Sequence, residues 1–259
     1  MTVAAPNLSA ADAPVLRGIG LAQRFGTRTL YHDVTFAVAH GEVFVILGGS
    51  GCGKSTLLRQ CIGLLAPSAG TVELLGCDIA AAAPDRRADV LRRIGVMFQS
   101  GALFGSMTLL ENVMLPLEVH TDLPPQARRR VARMKLGLVG LADSLSLLPA
   151  EISGGMIRRA AIARALALDP PLLFLDEPSA GLDPVTSAGL DRLILDLRDD
   201  LGLTFVVVTH ELASILAIAD CCLMLDRSTA GIIATGDPRR LRDESEDPRV
   251  RAFFRREAA

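Results

Sequence analysis

The chain has 259 residues, of which 50% are hydrophobic and 22% charged, and a formal net charge of −2. That balance belongs to a globular protein with a buried core, and it offers no general electrostatic attraction to nucleic acid. No uncharged apolar run approaches the roughly 18 residues that a membrane-spanning helix needs, so no such helix is expected.

Residues 1–16 carry neither the basic start nor the apolar core of a signal peptide, and the chain is expected to stay in the cytoplasm. The alanine- and proline-rich segment 1–14 is expected to be a disordered leader. Cys52, Cys61, Cys77, Cys221 and Cys222 form no C-x-x-C pair and have no histidine at zinc-ligand spacing. They are expected to be reduced structural thiols, with Cys52 placed where an alkylating reagent could meet it.

In chain order, residues 15–38 alternate apolar segments with turn signals and predict an antiparallel hairpin. Phe25 in it is either a strand-face aromatic or a ligand contact. Residues 42–47 (EVFVIL) predict a short strand and residues 55–65 a helix. Between them lies Gly48-Gly49-Ser50-Gly51-Cys52-Gly53-Lys54-Ser55-Thr56, the G-x-x-x-x-G-K-S phosphate-binding loop. Lys54 and Lys135 are the only lysines among 27 basic residues. A compact ammonium reaches into a phosphate nest where a planar guanidinium does not, which explains a lysine in an arginine-rich chain.

Residues 93–98 predict a strand that ends at Gln99, followed by a helical, loop-broken region over 102–165. Leu109, Leu110, Val113, Met114 and Leu117 have helical spacing there, with Pro116 expected as a break. A helix over 126–136 carries Arg128, Arg129, Arg130 and Arg133, read as a solvated basic face. Further helices are expected over 157–168, 184–201 and 211–219. The continuously apolar run 171–175 predicts a strand buried on both faces, ending in Asp176-Glu177. A second buried strand, 204–209, ends at His210, and 222–226 with 231–235 predict a terminal strand pair. Strands alternating with helices predict a mainly parallel α/β sheet.

Polar groups at strand ends are where open α/β sheets bind ligands. Asp176 and the Ser55 hydroxyl suit Mg²⁺, and the adjacent Glu177 suits polarising a water at a γ-phosphate. Gln99 can orient that water or touch the metal. His210, a common structural residue when taken alone, can hydrogen-bond the γ-phosphate. Ser153, Gly154 and Gly155 open a further helix, either as an ordinary capped start or as a second anion site.

Taken together and in order, these motifs resemble an ABC transporter ATPase subunit over about residues 15–255. The phosphate loop resembles its Walker A, Gln99 its Q-loop, 152–156 (ISGGM) its signature, 172–177 (LLFLDE) its Walker B, 179–183 (SAGLD) its D-loop and His210 its switch histidine. Phe25 falls where the family stacks an aromatic on adenine. The resemblance implies a P-loop NTPase (RecA-like) core over about 15–100 and 166–240. It also implies an antiparallel β subdomain, an inserted α-helical subdomain over about 101–165 and a tail over 241–259. It implies ATP and Mg²⁺ as cofactors, with Ser55, Gln99 and Asp176 toward the metal. It further implies a homodimer in which each ATP is held between one subunit's phosphate loop and the other's Ser153, Gly154 and Gly155. Asp183 would couple the two sites. Met156 departs from the family's usual glutamine and lacks its amide donor; the serine and glycine N–H groups remain, so ATPase activity is expected.

Residues 98–104, 107–117, 152–166 and 247–254 are similar to the bacterial Mla (MCE-associated) phospholipid-transport ATPases. That implies peripheral attachment at the cytoplasmic face of the inner membrane. The implied partners are an integral membrane permease, an MCE-domain substrate-binding protein and often a STAS-domain protein, with no nucleic acid. Leu103, Phe104 and Leu109 are either core residues, the ordinary reading of each taken singly, or an apolar seat for a permease helix. The rival readings are a soluble ABC ATPase in a non-transport process, an importer of another hydrophobic substrate such as a sterol, and a regulatory module without turnover. Long inserts or paired cassettes, usual in nucleic-acid types, are absent here, and Glu177 with His210 disfavours the last.

Overall fold

A computed structural model describes residues 13–255. Most of the expected leader and the last four residues lie outside that range. The chain opens with strands β1 (Leu16–Phe25) and β2 (Arg28–Val38), an antiparallel hairpin as expected. β3 (Val43–Gly48), the phosphate loop and helix α1 (Lys54–Cys61) follow. β4 (Ala69–Leu74), β5 (Cys77–Asp78) and α2 (Pro84–Leu91) lead to β6 (Ile94–Met97). Helices α3 (Leu109–His120), α4 (Pro125–Leu138) and α5 (Gly154–Ala165) form the helical region. β7 (Leu172–Asp176), α6 (Pro184–Leu201), β8 (Thr204–Val208) and α7 (Leu212–Ile218) alternate after it. β9 (Cys221–Asp226), β10 (Gly231–Gly236), α8 (Pro238–Glu244) and α9 (Pro248–Arg255) complete the described chain.

The strands make two sheets. One has four strands in the order β2-β1-β4-β5, with antiparallel pairing throughout. The other has six in the order β10-β9-β3-β8-β7-β6, parallel except for the β9–β10 pair. β3 shows why its sequence is apolar without alternation. Val43, Val45 and Leu47 belong to the apolar cluster on the side of the larger helices, whereas Phe44 and Ile46 belong to the cluster shared with α1 and the four-stranded sheet. A strand covered on both sides needs apolar residues at every position.

Pro116 does not break α3; it lies inside the helix. The helix starts from a capping box in which Thr108 Oγ1 accepts from Glu111 N at 3.3 Å and Glu111 Oε2 accepts from Thr108 N at 2.7 Å. Leu109, Leu110, Val113 and Leu117 are buried on one face. Burying four such side chains, at roughly 1.5–3 kcal/mol each, outweighs the roughly 3 kcal/mol that an interior proline costs. Lys135 is buried beside an ion-pairing Asp169, a structural role for the second lysine.

Candidate nucleotide site

The phosphate loop bridges the end of β3 and the start of α1, and two of its glycines are required by what lies behind them. Gly48 has φ +140° and passes so near Leu225 that an added Cβ would sit 2.2 Å from the Leu225 carbonyl oxygen. Gly53 has φ +109°, and its Cβ would meet the Tyr31 ring at 2.8 Å. The loop is thus pressed onto β9 and β2 with only backbone at the contacts. α1 begins without a side-chain cap or an acidic residue in its first turn, so its N–H groups and positive dipole end are free for an anion. Lys54 Nζ folds back over the loop and donates to Gly48 O at 2.9 Å and Gly49 O at 3.1 Å.

A cavity of about 840 Å³ opens over this loop. Gly48, Gly49, Ser50, Gly51, Gly53, Lys54, Ser55 and Thr56 line it, together with Phe25, Gln99, Glu177 and His210. Phe25, at the end of β1, is 54% exposed and faces this space rather than the core. Cys52 is the exception within the loop. Its thiol is 1% exposed, and burial pushes its pKa up despite nearby Lys54. A buried, protonated thiol is a poor target for alkylation, so the expectation of a reactive Cys52 is not met.

Asp176 ends β7 and accepts a hydrogen bond from Ser55 Oγ at 3.3 Å. Burial raises its pKa, the Ser55 hydrogen bond opposes that rise, and the Glu177 charge adds to it. Glu177 takes a left-handed backbone, φ +49°, with its N–H donating to Val208 O at 2.8 Å. That conformation is costly for a side-chain-bearing residue and clusters at functional sites. Glu177 Oε1 lies 2.8 Å from His210 Nδ1. Its Oε2 is buried without a partner. Glu177 lines the cavity with one carboxylate oxygen paired to His210 and the other without a hydrogen-bond partner, a carboxylate placed beside the space where a γ-phosphate would lie.

The other predicted residues lie elsewhere. Ser153 N-caps α5, accepting from Met156 N at 3.3 Å. Ser153 and Gly154 are exposed, and Gly155 is buried against Thr186, whose Cγ2 an added Cβ would meet at 2.4 Å. Asp183 N-caps α6, accepting from Val185 N and Thr186 N at 3.0 Å each. None of these four lines the cavity. Within the chain they form a separate patch, joined by Arg158 donating to Ala180 O at 3.3 Å.

The loop after Gln99 is fixed to the helical region. Arg164 donates to Gly101 O at 2.9 Å and Ala102 O at 2.7 Å. The fully buried Asn112 donates to Phe104 O and Met107 O and accepts from Phe104 N. Leu109 is fully buried, so it cannot belong to an open apolar seat; Phe104 is 50% exposed and Leu103 is partly buried. Arg28, Leu30 and Phe253 also line the cavity and were not anticipated. Arg28 pairs directly with Phe25 across the β1–β2 hairpin, a signal that the hairpin reading already contained.

A phosphate loop on a parallel sheet, with a carboxylate pair and a histidine at neighbouring strand ends, defines a P-loop nucleotide-hydrolysing enzyme. The ABC transporter family profile matches residues 31–180. The chain is 42% identical over 229 residues to the intermembrane phospholipid transport system ATP-binding protein MlaF of Escherichia coli K12, covering 88% of this chain and 84% of that one. It is 42% identical over 235 residues to the probable ribonucleotide transport ATP-binding protein mkl of Mycobacterium tuberculosis H37Rv, covering 91% of this chain and 65% of that one. Among solved structures, cbiO1 of Clostridium perfringens, part of the ABC transporter complex cbiONQ, superposes with a TM-score of 0.82 at 27% identity, covering 91% and 93% of the two chains. The dimeric ATP-binding cassette MJ0796 with ADP and Pi superposes at 0.76 and 29% identity, covering 86% and 98%. The chain belongs to the ABC transporter family, as an ATP-binding and ATP-hydrolysing subunit. Among the described residues no helix is long and apolar enough to cross a membrane.

Proposed function

We propose that the chain powers a phospholipid transporter as one half of a nucleotide-sandwich homodimer. The observation that carries the dimer is the separation of Ser153, Gly154, Gly155 and Asp183 from the cavity over Lys54. A helix start exposed at Ser153 and Gly154, away from its own chain's phosphate loop, suits the nucleotide of a second copy. ATP then favours the closed dimer because it touches both subunits, and hydrolysis removes the γ-phosphate contacts that hold it shut. The MJ0796 cassette, 29% identical, is dimeric with ADP and Pi bound, which supports a dimer as the working unit.

Within each half, Lys54 and the loop N–H groups hold the phosphates, and Phe25 offers its face to the base. Glu177 is the water-activating carboxylate, and the 2.8 Å contact between its Oε1 and His210 Nδ1 supports His210 as the group that orients it. Gln99 links the water to the loop that leads into α3. No group of three or more His, Cys, Asp or Glu suited to a metal occurs among the described residues. The Ser55 hydroxyl beside the Asp176 carboxylate is a hard-oxygen pair, which fits Mg²⁺ taking its remaining ligands from phosphate and water. Asp176, Ser55 and Gln99 would hold that ion, which neutralises phosphate charge when bound.

The cargo reading rests on the name of the MlaF relatives. It brings with it attachment to the cytoplasmic face of the inner membrane through a permease, an MCE-domain partner and a STAS-domain partner. Glu177→Gln is expected to retain ATP binding, to lower turnover by about 10²–10⁴-fold and to accumulate a dimer in ATP, read by light scattering. Wild-type turnover in that variant would remove Glu177 from the role. Purification from detergent-solubilised membranes is expected to bring an integral membrane partner; its absence would overturn the transporter reading.

A further inference from the structure

We infer that Phe253, on the C-terminal helix α9, is a second aromatic wall of the nucleotide site, opposite in origin to Phe25. This rests on the cavity over Lys54 being the ATP site. The half-buried Phe253 lines the same cavity as Phe25, Arg28 and the phosphate loop. Some 228 residues of sequence separate the two rings, so only the fold brings them to one space.

Phe253 packs in part against the main apolar core, and its neighbours on α9 supply the rest of the anchoring. Val250 and Phe254 are buried in the main apolar core, and Phe254 packs edge-on against Phe253 with centroids 5.4 Å apart. Arg249 ion-pairs with Asp226 at 2.9 Å and donates to Ser228 Oγ at 3.1 Å. Asp226 ends β9, one residue past Leu225, the residue pressed against Gly48. The β9–β10 turn in turn accepts a hydrogen bond from His32 of β2 through Ala230 O at 2.9 Å. β2 is the strand that carries Arg28 and Leu30 into the cavity. Arg249 therefore anchors α9 on the Phe25 side of the phosphate loop. Phe253 lies four residues further on, about 6 Å along the helix and on the same face.

Of the parts of a nucleoside triphosphate, only the base and the ribose carbon face offer an apolar ring a favourable contact; the phosphates repel it through the cost of desolvation. The ring thus recognises the nucleoside end. Occupancy of the site by a nucleotide holds α9 down, and loss of α9 weakens the grip on the base while leaving the phosphate nest intact.

The test compares wild type, Phe253→Ala and Phe253→Leu for binding of Mg-ATP and of inorganic tripolyphosphate, by titration calorimetry on the full chain. Both variants are expected to lose ATP affinity by about tenfold, equivalent to about 1.4 kcal/mol, with tripolyphosphate binding unchanged. The leucine keeps most of the apolar bulk that packs on the core and loses the aromatic face, so it serves if the alanine variant does not fold. Unchanged ATP affinity in Phe253→Leu would overturn the inference. So would equal loss of ATP and tripolyphosphate, which marks a structural role. Failure of the wild type to bind ATP would instead overturn the nucleotide site itself.

Discussion

Gly53 carries more of the site's geometry than any charged residue around it. Its φ of +109° and the Tyr31 ring behind it leave no space for a side chain. Gly53→Ala is expected to cost about 1–3 kcal/mol in backbone strain and to remove ATP binding, because the loop cannot bend its N–H groups inward. Thermal unfolding with and without ATP checks this; a variant that still gains its full ATP-dependent shift would show the bend is not needed. Lys54 is legible from the glycine pattern before it, and Asp176, Glu177 and His210 because each follows a short apolar run. The contact between Glu177 and His210 was not legible. It requires β7 and β8 to be neighbours in parallel register, with Asp176 opposite Val208, and nothing local in either segment states that.

At the scale of elements, α6 and α7 are tied together beneath the two residues at their starts. Asp183 caps α6, and His210 stands just before α7. Eight residues into α6, the buried Asp191 accepts from Ser214 Oγ of α7 at 2.8 Å. Burial raises the Asp191 pKa, and the Ser214 hydrogen bond only partly opposes it. A carboxyl whose folded pKa is raised stabilises the fold below its unfolded pKa and loses that contribution as pH rises through the folded value. Asp191→Asn keeps the acceptor without the charge. It is therefore expected to melt higher than wild type at neutral pH, with the difference shrinking as pH falls into the ordinary carboxylate range. A difference constant with pH would show that Asp191 is not desolvated. The long helices and buried strands of the core are readable from periodicity, whereas β4 is not. It is held by pairing with β1, a contact some fifty residues away in sequence. Pro116 misled for a related reason. Local propensity argued for a break, and the burial of α3 against the core overrode it.

For the whole molecule, the site divides between what one chain encloses and what it presents outward. A mixing experiment tests that division. Lys54→Ala and Ser153→Arg each disable one half of every composite site and are expected to be inactive alone. Mixed, they form heterodimers in which one nucleotide meets the intact phosphate loop of one chain and the intact signature of the other. ATPase activity above that of either variant is expected. No recovery, with heterodimers verified by differential tagging, would mean that each chain completes its own site.

The candidate chemistry is written locally along the chain. A phosphate loop, strand-end carboxylates and a glycine-opened helix are local patterns, because each needs only a few adjacent residues in one conformation. Only the tertiary structure decided which of these groups share a cavity, that Cys52 is sealed beneath the loop, and that Phe253 reaches the nucleotide space. Those facts depend on which strands neighbour one another and on how the last helix packs, and both follow from burial summed over residues far apart in the chain.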